Sequence, residues 1–279
     1  MVIGMKIINL VEDTVGKNLC EHEHGLSFYI ETKKHKLLLD TGATDMFIRN
    51  AKVLDVDLKQ VDMLILSHGH YDHSGGILSF TELNKNAKIY AQSTVDREYY
   101  NLADNREKYI GIDKQIVQLP QFVSVDGNLK IDEELFLFSG VKGNKYPSQG
   151  NLHLKQKENG RFVQDSFEHE QSLVIIDGDK HVLLSGCAHN GIVNILEHYK
   201  NLFHAEPDIV IGGFHLMQKQ AYSAEDIINI KKMSVELKNT KSIYYTGHCT
   251  GREAYLIMKE IMGDQLQWIH SGEVVFEED

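Results

Sequence analysis

The chain has 279 residues, of which 42% are hydrophobic, so it can bury a substantial core in one large domain or two small ones. Its formal net charge of −11 argues against a general affinity for nucleic acid or for an anionic membrane surface. Three cysteines are too few, and odd in number, for a disulfide framework.

The sequence predicts neither a signal peptide nor a membrane span. The apolar stretch Met1–Leu10 is short and runs into Glu12 and Asp13 without the basic region and cleavage site of a secretory signal. Nothing elsewhere approaches about 18 uninterrupted apolar residues. We therefore expect a cytoplasmic protein that binds no membrane and no nucleic acid.

In the first part of the chain, predicted strands alternate with predicted helices. The strands are Lys6–Val11, Gly25–Glu31, Lys36–Leu39, Met63–Leu66 and Lys88–Ala91, and the helices are Thr44–Leu54 and Ile77–Asn84. This order is typical of a layered α/β structure.

The most informative stretch is Ser67–Gly76, which directly follows the buried strand Met63–Leu66. Its glycines allow a tight turn, and four of its side chains can bind metal: His68, His70, Asp72 and His73. The order His-x-His-x-Asp-His lets one turn serve two ions, with the first two histidines facing one ion and the last two residues the other. A surface loop that happens to be rich in histidine is the alternative. It is disfavoured because histidines without a shared role are spread along a sequence, whereas these are clustered.

The segment from about residue 93 to residue 165 is an expected insertion in an otherwise single domain of residues 1–279. It has strand candidates at Gln115–Leu119 and Glu134–Val141, followed by a loop, Lys142–Asn159. Loops this long are usually functional or mobile, so we expect this one to form part of a lid over the metal site. A plain surface excursion is the alternative.

The second part of the chain repeats one local pattern three times: a strand, then glycine and histidine. The predicted strands are Leu173–Ile176, His181–Leu184, Asp208–Ile211 and Ser242–Tyr245, and the last three are followed by His189, His215 and His248. The turn Asp177-Gly178-Asp179 predicts a hairpin between the first two strands. The polar run Glu168–Ser172 before this hairpin could face a substrate or solvent.

Taken singly, each of these three histidines would more often be structural than a ligand. Their shared position favours a site, because strand ends converge on one edge of an α/β sheet. Cys187 and Cys249 lie beside these histidines but are interpreted as small buried thiols, outside the ligand set. His189 also precedes a predicted helix, whose N-terminus favours an anion such as a substrate phosphate.

The stretch Ser67–Gly76 resembles the signature of the metallo-β-lactamase-fold superfamily. That resemblance implies a four-layer αββα sandwich with two divalent metal ions, zinc first and manganese or iron as alternatives. It implies one ion bound by His68, His70 and His189 and a second bound by Asp72, His73 and His248. It also implies that Asp40 holds the histidine loop by hydrogen bonds from behind the ligands.

One departure from the family pattern narrows the function. Most members place a bridging aspartate on the strand between the last two histidine motifs, where this chain has Gly212-Gly213-Phe214-His215. His215 is therefore a candidate ligand or catalytic acid, and Asp72 is counted as catalytic as well as metal-binding. Four stretches together resemble the branch named for dihydropterin–ribofuranosylaminobenzene-phosphate synthase: Glu23–Ser27, Gly186–Gly191, Gly212–Leu216 and Thr246–Gly251.

We therefore expect a hydrolase or transferase with two metal ions acting on a small phosphorylated or diphosphate-bearing substrate, as in a dihydropterin-type condensation. The first alternative is a regulatory protein of the same fold that binds metal and senses a ligand without turnover. A thioester or lactone hydrolase is the second. A redox di-iron protein is disfavoured, because such relatives usually have glutamate where His70 stands.

Overall fold

The computed structural model describes residues 4–103 and 106–278, and within them the chain forms eighteen strands and six α-helices. The strands are β1 (Lys6–Val11), β2 (Ser27–Glu31), β3 (Lys36–Leu39), β4 (Met63–Ile65), β5 (Lys88–Gln92), β6 (Tyr99–Asn101), β7 (Lys108–Tyr109), β8 (Phe122–Val125), β9 (Leu129–Lys130), β10 (Leu135–Ser139), β11 (Leu154–Glu158), β12 (Arg161–Gln164), β13 (Gln171–Asp177), β14 (Lys180–Leu184), β15 (Ile209–Ile211), β16 (Ile243–Thr246), β17 (Leu266–Trp268) and β18 (Val274–Glu277). The helices are α1 (Met46–Val53), α2 (Tyr71–Ser74), α3 (Ile77–Leu83), α4 (Ile192–Phe203), α5 (Ala224–Lys238) and α6 (Arg252–Met262). None of these helices is long and apolar enough to cross a bilayer.

Two large mixed sheets form the centre of the molecule. In the described part of the chain each has seven strands, in the orders β18-β1-β2-β3-β4-β5-β8 and β17-β16-β15-β14-β13-β10-β9. The run β3-β4-β5-β8 is parallel in the first sheet, and the run β14-β15-β16-β17 is parallel in the second. Each sheet therefore has a parallel half of the kind whose strand ends form sites.

The sheets pack face to face, and helices cover their outer faces. Phe28 of the first sheet and Leu184 of the second belong to one fully buried cluster between the sheets. Phe47 of α1 packs on the outside of the first sheet, and Met258 of α6 packs on the outside of the second. This arrangement is the αββα sandwich that the sequence predicts, and the fold class is confirmed.

The segment from residue 93 to residue 165 contributes to the large sheets and also forms a small sheet of its own. Strands β8, β9 and β10 belong to the two large sheets, whereas the small sheet has the order β12-β11-β6-β7. The strand expected at Gln115–Leu119 is wrong, because this stretch is a 3-10 turn over Ile116–Gln118. The Asp113 carboxylate accepts a hydrogen bond from the Gln115 N–H, which favours a turn over an extended strand.

The glycines of the histidine loop have a different role from the one expected. Gly69, Gly75 and Gly76 are not among the described residues with positive φ. A Cβ at Gly75 would overlap the Ala43 carbonyl, and a Cβ at Gly69 would lie 2.6 Å from the Val95 oxygen. These positions therefore need glycine for close backbone packing.

The cap of α5 provides a test of the fold. The Ser223 hydroxyl accepts a hydrogen bond from the Asp226 N–H at 3.1 Å, and Asp226 Oδ2 accepts one from the Ser223 N–H at 2.9 Å. We expect Ser223→Ala to lower the free energy of unfolding by about 1 kcal/mol, measured by urea denaturation. Ser223→Asn keeps a capping side chain and should lose much less, so equal losses in both variants would contradict this role.

Candidate metal centre

The buried carboxylate of Asp40 holds the histidine loop at the end of β3. Its Oδ1 accepts a hydrogen bond from the Ser67 N–H at 2.7 Å. Its Oδ2 accepts one from the Ser67 hydroxyl and one from His73 Nδ1, each at 2.6 Å. One side chain thus positions both the start of the loop and one of its histidines.

These hydrogen bonds also determine which nitrogen of each imidazole carries the proton. Because the Ser67 hydroxyl donates to Asp40, it can only accept from His68 Nδ1, at 2.9 Å. His73 likewise donates from Nδ1 to the carboxylate. Both rings therefore present Nε2 as an unprotonated lone pair, which is the form that binds metal.

Two histidines of the second sheet follow the same rule. Nδ1 of His189 donates to the Asn151 amide oxygen at 3.0 Å, and Nδ1 of His248 donates to Asp13 Oδ1 at 2.6 Å. Nε2 of both rings is therefore directed into the centre, 3.3 Å from Nε2 of His68 in the case of His189 and 3.5 Å from Asp72 Oδ2 in the case of His248. Imidazoles held in this way by a neighbouring acceptor are typical of metal sites.

The predicted site residues come together in two neighbouring groups. His68, His70 and His189 have ring centroids 4.7 to 4.9 Å apart, and Nε2 of His189 lies 3.3 Å from Nε2 of His68. In the second group, Asp72 Oδ2 lies 3.7 Å from Nε2 of His73 and 3.5 Å from Nε2 of His248. Two nitrogen or oxygen ligands of one tetrahedral zinc ion are about 3.3 to 3.6 Å apart, so these distances suit metal binding.

Burial and mutual proximity keep the first group neutral. Burial lowers the pKa of His68 and of His189 well below the usual value, and the neighbouring histidines lower it further. Burial likewise lowers the pKa of His70, to about 3. Nε2 of His70 is buried and has no hydrogen-bond partner among the described residues, which fits a nitrogen that binds a metal.

The second group has the opposite charge balance. Burial alone would raise the pKa of Asp72, but the neighbouring His73 and His248 lower it well below its usual value. Burial alone would lower the pKa of His248, but the neighbouring carboxylates of Asp13 and Asp72 raise it well above the usual value. A cation bound at Nε2 of His248 would therefore have to displace a proton.

His215 lies beside the first group. Its ring centroid is 4.1 Å from that of His189, and its backbone is left-handed, with φ of 48°. Both ring nitrogens are buried without a hydrogen-bond partner in the part of the chain that the structure describes. Its ligand atoms also fall within 4.8 Å of the thiols of Cys187 and Cys249.

Several residues of the centre were missed in the sequence. Glu12 and Asp13 follow β1 directly, and Glu12 Oε1 accepts a hydrogen bond from the His248 N–H at 2.7 Å. Their position could have drawn attention to them, since Asp40 likewise follows a buried strand directly. His24 belongs to a stretch that carries the family resemblance but was given no role at the site, although its Nε2 lies 3.4 Å from Asp72 Oδ2 at the exposed side of the second group.

In the polar run Glu168–Ser172, all side chains except that of Glu168 are buried. The Glu170 carboxylate accepts hydrogen bonds from the backbone N–H groups of His189, at 2.5 Å, and Asn190, at 3.0 Å. His169 accepts a hydrogen bond from the Gly69 N–H at 2.9 Å through Nδ1 and donates to Asp165 at 3.2 Å through Nε2. The run therefore positions backbone on both sides of the first group.

Comparisons with known proteins agree with this fold. The sequence profile of the metallo-beta-lactamase superfamily matches residues 22–220. A protein of Methanocaldococcus jannaschii named 7,8-dihydropterin-6-methyl-4-(beta-D-ribofuranosyl)-aminobenzene-5'-phosphate synthase is 31% identical, over 98% of this chain and 97% of its own length. A second protein of that organism, the uncharacterized protein MJ0448, is 28% identical over 95% of this chain and 98% of its own length.

Solved structures agree as well. The crystal structure of Tm1679, named as a metal-dependent hydrolase of the beta-lactamase superfamily, has a TM-score of 0.82 and 29% identity, covering 99% of this chain and 100% of that one. The fold of YhfI from Bacillus subtilis is also similar, with a TM-score of 0.58 and 15% identity over 99% of this chain and 100% of that one. The chain therefore belongs to the metallo-β-lactamase superfamily.

Proposed function

We propose that this protein is an enzyme with two divalent metal ions, a hydrolase or transferase acting on a small phosphorylated or diphosphate-bearing substrate. The observation that carries the proposal is the shared orientation of four imidazoles. His68, His73, His189 and His248 each donate to an acceptor through Nδ1 and direct Nε2 into the centre. Metal binding requires this orientation of the imidazoles, whereas side-chain packing alone does not require it.

In this proposal His68, His70 and His189 hold one ion, and Asp72, His73 and His248 hold the other. Zinc suits these ligands best, and manganese or iron would also fit. Two such ions supply Lewis-acid polarisation of a phosphoryl or carbonyl oxygen and neutralise the charge that develops on it.

The chain's own residues would orient the substrate and handle protons. His215 borders the first group with both ring nitrogens uncommitted, so it can protonate a leaving group held there. The N-terminus of α4 follows His189 after Asn190 and Gly191, and its backbone amides favour a phosphate. Both features support a substrate that carries an anionic leaving group.

The substrate class rests on the relative with 31% identity, whose name contains an aminobenzene phosphate and a dihydropterin. A condensation of that type would release diphosphate, which two metal ions can clamp. The direct test is turnover of a dihydropterin diphosphate with an aminobenzene ribose phosphate by the metal-loaded protein. A panel of phosphoesters, thioesters and lactones tests hydrolysis; tight metabolite binding without turnover of any compound would instead identify a sensor.

The metal ligands can be tested by substitution. We expect His68→Ala to lose metal and activity together, measured by elemental analysis and by the same turnover assay, because the ring is fully buried within the first group. His22→Ala is the matched control, since that histidine is exposed. A full metal complement in His68→Ala would defeat the assignment.

His215 can be tested in the same assays. As a catalytic acid it should be dispensable for metal binding, so we expect His215→Gln to keep its metal while turnover falls by about 100-fold or more. Loss of metal along with turnover would make this residue a ligand instead.

Asp40 should act on the metal only through the residues that it holds. Asp40→Asn keeps the size of the side chain but cannot accept from both Ser67 and His73 as the carboxylate does. We expect a fall in metal affinity of about 10- to 100-fold, measured by competition with a chromophoric chelator. Asp264→Asn, at a fully exposed carboxylate, is the control; unchanged affinity in Asp40→Asn would contradict the role.

The loop expected over Lys142–Asn159 is partly wrong, because Leu154–Glu158 forms strand β11 and only the part before it is irregular or 3-10. We also propose that this segment, Lys142–Asn159, covers the centre as part of a lid. Asn151 hydrogen-bonds to His189 through its side-chain oxygen and nitrogen, and the Ser148 hydroxyl donates to the His215 carbonyl. Because these contacts tie the loop to the site, we expect bound metal and diphosphate to slow proteolytic cleavage within the loop. Unchanged cleavage on binding would count against a lid.

A further inference from the structure

Cys187 lies between the two groups of proposed metal ligands. Its Sγ is 3.1 Å from Nε2 of His73 and is buried. The same sulfur lies within 4.8 Å of the ligand nitrogens of His68 and His189 on one side, and of His73 and His248 on the other. It is the side chain that the two sets have in common.

The strand end next to this sulfur has no room for a carboxylate. A Cβ at Gly213 would overlap the Cys249 sulfur, and a Cβ at Gly212 would overlap the Ser185 carbonyl oxygen. An acidic side chain would therefore require the Cys249 side chain to move at Gly213 and the backbone to move at Gly212. The anionic donor between the groups has to come from another element, and Cys187 on the loop after β14 is in the right place.

The charges of the proposed ligands also favour an anionic ligand between the two groups. The proposed ligands are five neutral imidazoles and Asp72, which together carry one negative charge against four positive charges on two divalent ions. A ligand anion between two cations about 3.5 to 4 Å apart reduces their repulsion. A thiolate is such an anion, and it suits zinc or iron as well as imidazole does.

We propose that the Cys187 thiolate is a ligand shared by both metal ions. The proposal deepens the proposed function and rests on its pair of metal sites. The metal–sulfur bonds form as the thiol proton is released to solvent, so no oxidant or reductant is needed. The Cys187 sulfur would then bridge the two ions, as a carboxylate oxygen does in a centre whose bridging ligand is an acidic residue.

The other two cysteines provide matched controls. Cys249 is buried beside Cys187, but its thiol faces the Cys187 carbonyl oxygen at 3.6 Å and forms its ligand group with Cys187 and His215. Cys20 is buried beside Gly272, on another part of the molecule. Serine at each position keeps the size of the side chain and removes the soft sulfur donor.

The first experiment needs no variant. X-ray absorption of the zinc-loaded protein should show a sulfur scatterer at about 2.3 Å, beside nitrogen and oxygen at about 2.0 to 2.2 Å. Cobalt(II) titration of the metal-free protein should then give a thiolate-to-cobalt charge-transfer band in the near ultraviolet. A shared ligand predicts that this band grows with both the first and the second equivalent.

Serine variants identify which cysteine supplies the sulfur ligand. Cys187→Ser should lose the sulfur scatterer and the band and bind the second ion more weakly than wild type by about 100-fold or more, beyond the usual effect of residues behind the ligands. Cys249→Ser and Cys20→Ser should keep the band. Circular dichroism and thermal melting of the metal-free proteins check that each variant is folded.

Each outcome separates this proposal from the proposed function. Two bound ions with only nitrogen and oxygen scatterers would overturn the sulfur ligand and leave the metal pair intact. A band that saturates at one equivalent, or that disappears in Cys249→Ser but persists in Cys187→Ser, would also overturn it. A protein that binds no metal at all would overturn both.

Discussion

The structure of the centre depends on the placement of one buried carboxylate, that of Asp40. The residue has a left-handed backbone, with φ of 61°, and is fully buried, a combination that costs free energy unless its neighbours demand it. Its two oxygens accept three hydrogen bonds, from Ser67 and His73. Through these bonds the end of β3 orients the loop that follows the neighbouring strand β4.

The same principle operates on the second sheet with different residues. The backbone N–H groups of His189 and His248 donate to buried carboxylates, those of Glu170 and Glu12 respectively. Burial raises the pKa of Glu170 above its usual value, so this carboxylate relies on the amides that it accepts from. Each histidine is thus held at two points, its backbone and its Nδ1, which fixes both its position and its direction.

The sequence located the histidines of the centre better than the residues that hold them in place. His189 and His248 could be found because a parallel sheet brings strand ends to one edge. The contacts that Asp13 and Asn151 make with these histidines could not be found in this way, because they join residues 235 and 38 positions apart. No local period encodes such a contact, although the acid after β1 was visible.

Other differences also have physical causes. The strands of the segment from residue 93 to residue 165 are two to five residues long, too short for an alternation of apolar and polar side chains to emerge. The glycines of the histidine loop were correctly singled out for the wrong reason, since close packing against Ala43 and Val95 excludes a side chain there. The fold class was nevertheless predictable, because the apolar strands and the strand-end motifs lie in its most regular part.

The chemistry of the centre links metal binding to stability. Burying imidazole nitrogens without partners costs free energy, and Nε2 of His70 and of His248 are buried in this way. A cation bound by these nitrogens would offset that cost. It would do so only in the folded chain, because the proposed ligands come from both sheets. Metal at about 1,000 times its dissociation constant would then stabilise the fold by about 4 kcal/mol, comparable to a large part of the stability of an ordinary domain. The hydrogen bonds of Asp40 and Asp13 would thus have a thermodynamic consequence beyond orientation, since by directing Nε2 of His73 and His248 inward they would make the two sheets parts of one metal-binding unit.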